Sequence, residues 1–344
     1  MHKRIPLLLT LALLPALAVW LRAAGPATWR VEFINDVFFD SDNGITSGIS
    51  LQLHSAAAPG WDSLRGVSRL RRGIGRLLRI PQAGGWVCRS GLAVGQLMQT
   101  PTDLTRSDLI VEDVPYAGVL ALQSCWYAYS DEQFRGFELM VGASGPASLA
   151  GPNQMAIHRL IHDTVPQGWD NQLSNELLLN LSIAGKRKLL RLGGGGGAAL
   201  DLALGGEAAL GNFLTHASAG LELRAGINMP GGFAPLPGAV ALGMHQAASL
   251  PAARPSGPSL QAVLALRGTA LAHALLWDGN TLADSHRVER RAFIGHAVAG
   301  LRADLGRVSL AFYAMGSTPI ARLESAPAAG ERELLGVFHL ELLL

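Results

Sequence analysis

The chain has 344 residues, 49% of them hydrophobic and only 16% Asp, Glu, Lys or Arg, where a soluble domain carries about 25% charge. A net charge of +2 leaves no basic footprint for nucleic acid, and a mean hydropathy of +0.25 sets the chain apart from ordinary soluble enzymes. The apolar residues are spread along the chain, and only the N-terminus carries a long unbroken apolar run.

That run, Ile5 to Trp20, follows His2-Lys3-Arg4 and has the basic and apolar regions of a secretory signal peptide. Ala16-Leu17-Ala18 and Ala23-Ala24-Gly25 are candidate cleavage signatures. Roughly 16 apolar residues fall short of the ~20 that a spanning helix needs, so export with cleavage is favoured over a membrane anchor. The expected organisation is a leader over residues 1–24 and one domain over residues 25–344.

The first strand ends at Asn35-Asp36. The next opens near Thr46 and alternates, with Thr46, Gly48, Ser50, Gln52 and His54 between Ile49, Leu51 and Leu53. Alternation of period two gives a strand one polar and one apolar face, and it predicts that the polar groups, Thr46 included, share one side. Short alternating segments separated by turn residues, behind a leader, are the pattern of an antiparallel transmembrane β-barrel. A soluble all-β secreted protein shows the same alternation. The last strand favours the barrel: Leu334, Gly336, Phe338, Leu340, Leu342 and Leu344 share one face, with Val337, His339 and Glu341 on the other. The glycine run 193–197 and the Pro/Gly-rich stretches 228–238 and 250–259 read as turns or loops of the same domain.

Cys88 and Cys125 flank the segment Thr100–Val114, which reads as a hairpin loop. Simple register would place them opposite each other. An exported protein can form such a disulfide, and two buried thiols is the equal alternative. The same loop carries Asp103, Asp108, Glu112 and Asp113. Clustered carboxylates attract calcium, but on spacing alone a solvated acidic loop is preferred.

Residues 153–162 have helical spacing, with Pro152 as a suitable first-turn residue. Gln154, His158 and His162 recur every four residues on one face. Histidines at i and i+4 suit zinc, yet no third ligand accompanies them, and a structural role for His158 is the commoner outcome at such spacing.

Taken in order, Asn35-Asp36, Thr46-Ser47-Gly48, Gln96 to Asp103, Pro115-Tyr116-Ala117-Gly118, Gly145-Pro146-Ala147-Ser148, His158-Arg159 and Gly168-Trp169-Asp170-Asn171-Gln172 resemble the outer-membrane lipid A 3′-O-deacylase family (LpxR-type). Gly211-Asn212 and Gly220 to Gly226, with Arg224, resemble a further segment. The resemblance runs from about residue 29 to the C-terminus and is densest before residue 176. It implies a barrel of about twelve strands in a Gram-negative outer membrane, with lipid A and the surrounding lipids as partners and no nucleic acid. It also implies calcium-dependent removal of the 3′-acyloxyacyl chain. His158 is then the base that activates water, Asn35, Asp36 and Thr46 complete the site, and Asp36 lies near the calcium. Ester hydrolysis needs a base that titrates near neutrality, which suits histidine, and positive charge where the oxyanion develops.

Three positions depart from the family pattern. Ile45 and Gln99 stand where a tyrosine is usual, and Thr164 stands where some members have an acid six residues after the histidine. Asp163 is the adjacent acid. Two other readings stay open: a barrel of the same fold acting as a channel or structural protein, and a Ser-His phospholipase. No serine lies in a motif with a base partner, and Ser144 and Ser148 read as turn residues.

Overall fold

The computed structural model describes residues 28–36, 38, 44–78, 85–237, 257–322 and 334–343. The expected leader, Leu344 and most of the stretch 250–259 lie outside them. Twelve antiparallel strands close into a barrel, β1 pairing with both β2 and β12. They are β1 (Thr28–Asn35), β2 (Gly44–His54), β3 (Val87–Thr100), β4 (Ala117–Tyr129), β5 (Gln133–Ser144), β6 (Leu177–Gly193), β7 (Ala198–Gly211), β8 (Leu214–Ile227), β9 (Ser259–Ala274), β10 (Phe293–Leu305), β11 (Val308–Ser317) and β12 (Leu334–Leu343). Two helices matter below, α1 (Arg69–Leu77) and α2 (Ala150–Ile161).

The period-two pattern sorts residues between wall faces. On β12 the outward residues are Leu334, Phe338 and Leu342, while Leu335, Val337, His339 and Glu341 are buried. On β6, Leu177, Leu179, Leu181 and Ile183 are exposed between buried Leu178, Asn180 and Ser182. The outward set makes an apolar belt suited to lipid, because closure leaves every strand paired and no edge unsatisfied.

The barrel interior is charged and filled. Arg30 and Arg302 both hold Glu341, Arg302 at 2.7 Å, and Arg302 also reaches Asp304 at 2.7 Å. Arg224 is bidentate to Asp201, at 2.9 and 2.5 Å. The segment 229–237 folds inward, its Ala234 amide donating to Glu222 at 3.0 Å and its Gly232 carbonyl accepting from Arg224 at 2.8 Å. These charges are buried against one another instead of lining an open bore, which tells against a wide channel. Buried charges persist only when paired. Glu341→Ala, which strands buried Arg30 and leaves Arg302 with Asp304 alone, is therefore expected to destabilise the barrel by about 3 kcal/mol or more, read as a lower midpoint for loss of heat-modifiable gel mobility.

The two ends differ. Tight turns at 130–132, 194–197 and 306–307 mark one end, which also carries the described segments 55–78 and 228–237. The opposite end carries the connections 101–116, 145–176 and 275–292. The glycine run makes the β6–β7 turn, with positive φ at Gly193, Gly194, Gly195 and Gly196.

No disulfide joins Cys88 and Cys125. The register pairs Cys88 with Ala128 and Gly91 with Cys125, so the cysteines are three positions apart and on opposite faces of the sheet. Both are buried thiols. Counting inward from both cysteines misses because the β3–β4 connection is not centred between them.

Candidate active site

A bulge shapes the site. Ile45 pairs with Gln99 and Ser47 with Met98, leaving Thr46 as the extra residue. A bulge re-aims side chains, and here Thr46 turns outward with Ser47, its hydroxyl 2.7 Å from that of Thr100. Strict alternation would have placed Thr46 with Gly48, Ser50 and Gln52 inside the barrel. That expectation is corrected.

Opposite this wall lies α2, held by the residues that carry the family pattern. Gln96 on β3 donates to the Ser148 carbonyl at 2.6 Å and accepts from Asn153 at 3.0 Å. Trp169 donates to Gln154 at 2.8 Å and packs on Tyr116 with ring centroids 5.1 Å apart. Gly145 has φ of +71°, and a Cβ there would stand 2.6 Å from the Leu173 carbonyl oxygen, so the turn before α2 admits no side chain. Ser144 and Ser148 each donate to backbone carbonyls, Ser174 O at 3.0 Å and Gly145 O at 2.6 Å. They are turn residues, as expected, and not nucleophiles.

The helix spans Ala150–Ile161 and not 153–162. His162 closes it in the left-handed region, φ +60°, and the Asp163 amide returns to the His158 carbonyl at 2.9 Å, a Schellman-type stop. His158 lines the cleft described below and His162 is not among its lining residues. Among the described residues no three His, Cys, Asp or Glu side chains gather within metal reach.

The same stop brings Thr164 and Asp163 back over His158. The Thr164 carbonyl lies 2.6 Å from His158 Nδ1, and an Asp163 carboxylate oxygen lies 3.7 Å from the same nitrogen. A carbonyl oxygen only accepts, so Nδ1 carries the proton and Nε2 of the neutral ring keeps its lone pair. Asp163 is itself fixed by the Thr164 amide at 2.6 Å. Thr164 thus meets His158 through its backbone carbonyl and not through its side chain. Thr164→Ala is expected to leave the His158 Nδ1 contact in place, because the backbone carbonyl stays, read as an unchanged imidazole N–H resonance by NMR. A lost or shifted resonance would show that the Thr164 side chain shapes this contact.

Asn35, Asp36, Thr46 and His158 line one cleft of about 520 Å³, with Thr100, Asp103 and Asp163. Sequence reasoning missed Thr100, whose hydroxyl lies beside that of Thr46. The cleft lies between α2 and the outer wall of β1–β3, outside the barrel bore. A second cavity of about 30 Å³, bounded by Phe134, Lys186, Glu222 and Arg267, lies inside the bore and away from these residues.

The acidic loop is mostly engaged by protein. Asp113 accepts the Thr102 and Val114 amides at 2.8 and 2.7 Å, and Arg106 holds Asp108 at 2.5 Å and Glu112 at 3.4 Å. The Thr105 hydroxyl and amide hold the Asp103 carboxyl below the usual carboxylate range, so a negative charge stays at the lip of the cleft. Among the described lining residues there is no Lys or Arg. Carboxylates with amide and hydroxyl oxygens, and no side-chain cation, form a hard-oxygen donor set. This set suits calcium, which accepts neutral oxygens and water beside a carboxylate. Asn212 and Arg224, from the later segment of the pattern, are structural: Asn212 accepts the Leu179 amide at 2.8 Å and Arg224 pairs inside the barrel.

A comparison with curated protein sequences finds no match. Among solved structures, LpxR from Salmonella typhimurium superposes with a TM-score of 0.72 at 12% identity, covering 92% of this chain and 99% of that one. The β-domain of the Bordetella autotransporter Brka and an outer membrane channel from Pseudomonas putida F1 reach TM-scores of 0.43 and 0.41 at 11% and 9% identity. Each covers 93% of this chain, and 98% and 96% of their own. A family model described as outer membrane protein LpxR matches residues 6–331. The chain therefore belongs to the LpxR family, and its barrel is that of a Gram-negative outer-membrane protein.

Proposed function

We propose that this protein is a calcium-dependent ester hydrolase that removes the 3′-acyloxyacyl chain of lipid A. The observation that carries the reading is the placement of the cleft. A site on the outer wall meets membrane lipid directly, whereas a channel would gather its polar groups in the bore. The filled interior and the fixed His158 tautomer favour hydrolysis over a pore of the same fold.

In the proposed reaction His158 Nε2 takes a proton from water as the water oxygen attacks the ester carbonyl. The imidazolium so formed is stabilised by the Thr164 carbonyl and by Asp163, which orient the ring as well. The Asn35 amide and the Thr46 hydroxyl supply hydrogen bonds to the tetrahedral oxyanion. Collapse breaks the ester C–O bond, and His158 returns the proton to the departing sugar oxygen. Asp36 would hold calcium, which when bound supplies positive charge beside the developing oxyanion.

The deciding experiment is mass spectrometry of lipid A after incubation with the detergent-purified protein in calcium and in EDTA. Loss of the 3′-acyloxyacyl mass in calcium alone is expected. No mass change in either condition, from a protein with heat-modifiable mobility, would move the reading to a non-enzymatic barrel.

A further inference from the structure

Helix α1 lies against the outer wall of the barrel near the tight-turn end. Arg71 donates to the Ser124 hydroxyl at 2.5 Å, the Ser90 hydroxyl at 2.7 Å and the Gly91 carbonyl at 2.6 Å. Trp126 donates to the Arg71 carbonyl at 2.8 Å, and Ile74 and Leu78 pack with Cys88, Trp126 and Ala128. Ser90, Ser124 and Trp126 share the outward face with Leu92 and with Leu122, which is 63% exposed. The helix therefore sits directly beneath the lipid-facing belt.

Its free surface is two-sided. Helical spacing places Leu70 and Leu77, 74% and 80% exposed, on one flank and Arg69, Arg72 and Arg76 on another. The helix contains no acid, and the nearby Asp62 side chain bonds only Arg76, at 3.1 Å, among the described contacts. Beyond Leu78 a groove of about 630 Å³ runs over the outer faces of β5–β7, walled by Phe137, Ile183 and Ala208 with Arg135 in its lining; Glu207, also in the lining, has its buried carboxylate turned to His216 and Arg267. The register Gln133–Arg187 and Arg135–Gly185 places Arg187 on the same outward face, one pair away.

We propose that α1 and this groove bind an anionic glycerophospholipid of the leaflet at the tight-turn end. The acyl chain would lie along Phe137, Ile183 and Ala208, and the phosphodiester would meet Arg135 and the basic flank of α1. Exposed leucines beside arginines, on a helix that hugs a lipid-facing wall, are the arrangement of an interfacial element. The surplus of arginine over acid selects a lipid with net negative charge, since a zwitterionic headgroup brings its own cation to the site. A protein partner would have no use for leucines at the depth of the acyl chains.

The test is native mass spectrometry of the full barrel released from detergent micelles with equimolar phosphatidylglycerol and phosphatidylcholine. Wild type is expected to retain phosphatidylglycerol selectively. A combined Arg69→Ser, Arg72→Ser, Arg135→Ser variant is expected to retain it roughly a hundredfold less, at about fivefold for each of the three cations removed. The matching lysine variant is expected to keep it. Excess inorganic phosphate is expected not to displace the lipid, because phosphate lacks the chain that the groove accepts. Equal retention of both lipids by wild type, undiminished retention by the serine variant, or displacement by phosphate would each overturn the proposal. Heat-modifiable mobility checks folding, and cleavage of lipid A in detergent should be unaltered because these residues lie at the end of the barrel remote from the cleft.

Discussion

Replacing His158 by alanine is expected to lower lipid A deacylation by roughly 10²–10⁴-fold, the usual contribution of a positioned acid–base group, while the barrel remains folded. The expectation follows from the two halves of the ring's environment. Nδ1 is committed to the Thr164 carbonyl at 2.6 Å, and the ring borders the cleft shared by Asn35, Asp36 and Thr46. The helix end does not depend on the imidazole: its stop is made by backbone bonds to the His158 carbonyl, and alanine is the best helix former. Loss of rate with unchanged heat-modifiable mobility supports the base assignment. Retained rate in a folded variant would sink it, and would send attention to another group in the cleft.

Much of the barrel was legible because period-two alternation survives in any strand that separates lipid from a packed interior. Leu334, Phe338 and Leu342 against Val337, His339 and Glu341 are read directly from the chain and recur in the structure. The number of strands was not legible in that way and came with the family resemblance. What periodicity hides is the local exception. The bulge at Thr46 inserts one residue and reverses a side chain, and Gly44 and Gly48 on either side fit the alternation as ordinary strand positions, so the pattern does not announce it. His162 is hidden for a similar reason: a left-handed stop usually carries glycine or asparagine, so a histidine at helical spacing reads as one more turn. The contact at position 164 is hidden for another reason, because the atom that meets His158 there belongs to the backbone, whatever the side chain. Between a disulfide and two buried thiols the structure has the thiols, a choice set by register, which depends on where the β3–β4 connection turns and not on its length. The acidic loop reads from its spacing as solvated, whereas its carboxylates are engaged by Arg106, Thr105 and backbone amides from the same segment.

Asp36→Ala is expected to reduce activity in saturating calcium by roughly 10²–10³-fold, the scale of losing one element of oxyanion stabilisation, and to flatten the calcium titration. Asp36 is nearly buried, 7% exposed, at the mouth of β1 and within the cleft. Asp103 also borders the cleft, but its carboxylate accepts the Thr105 amide at 2.9 Å and hydroxyl at 2.7 Å. Asp103→Ala is thus the informative control, removing a charge of the same type while leaving the calcium titration close to wild type. Asp36→Asn separates charge from shape, because the amide keeps the volume and hydrogen-bonding oxygen but not the negative charge a cation needs. If calcium acts through Asp36, alanine and asparagine lose the calcium response together and both approach the wild-type rate measured in EDTA. If the carboxylate only braces the loop after β1, asparagine keeps the response. An identical titration in all three variants would count against Asp36 as a metal-site residue and would leave His158, with the neutral donors Asn35 and Thr46, as the working centre of the cleft.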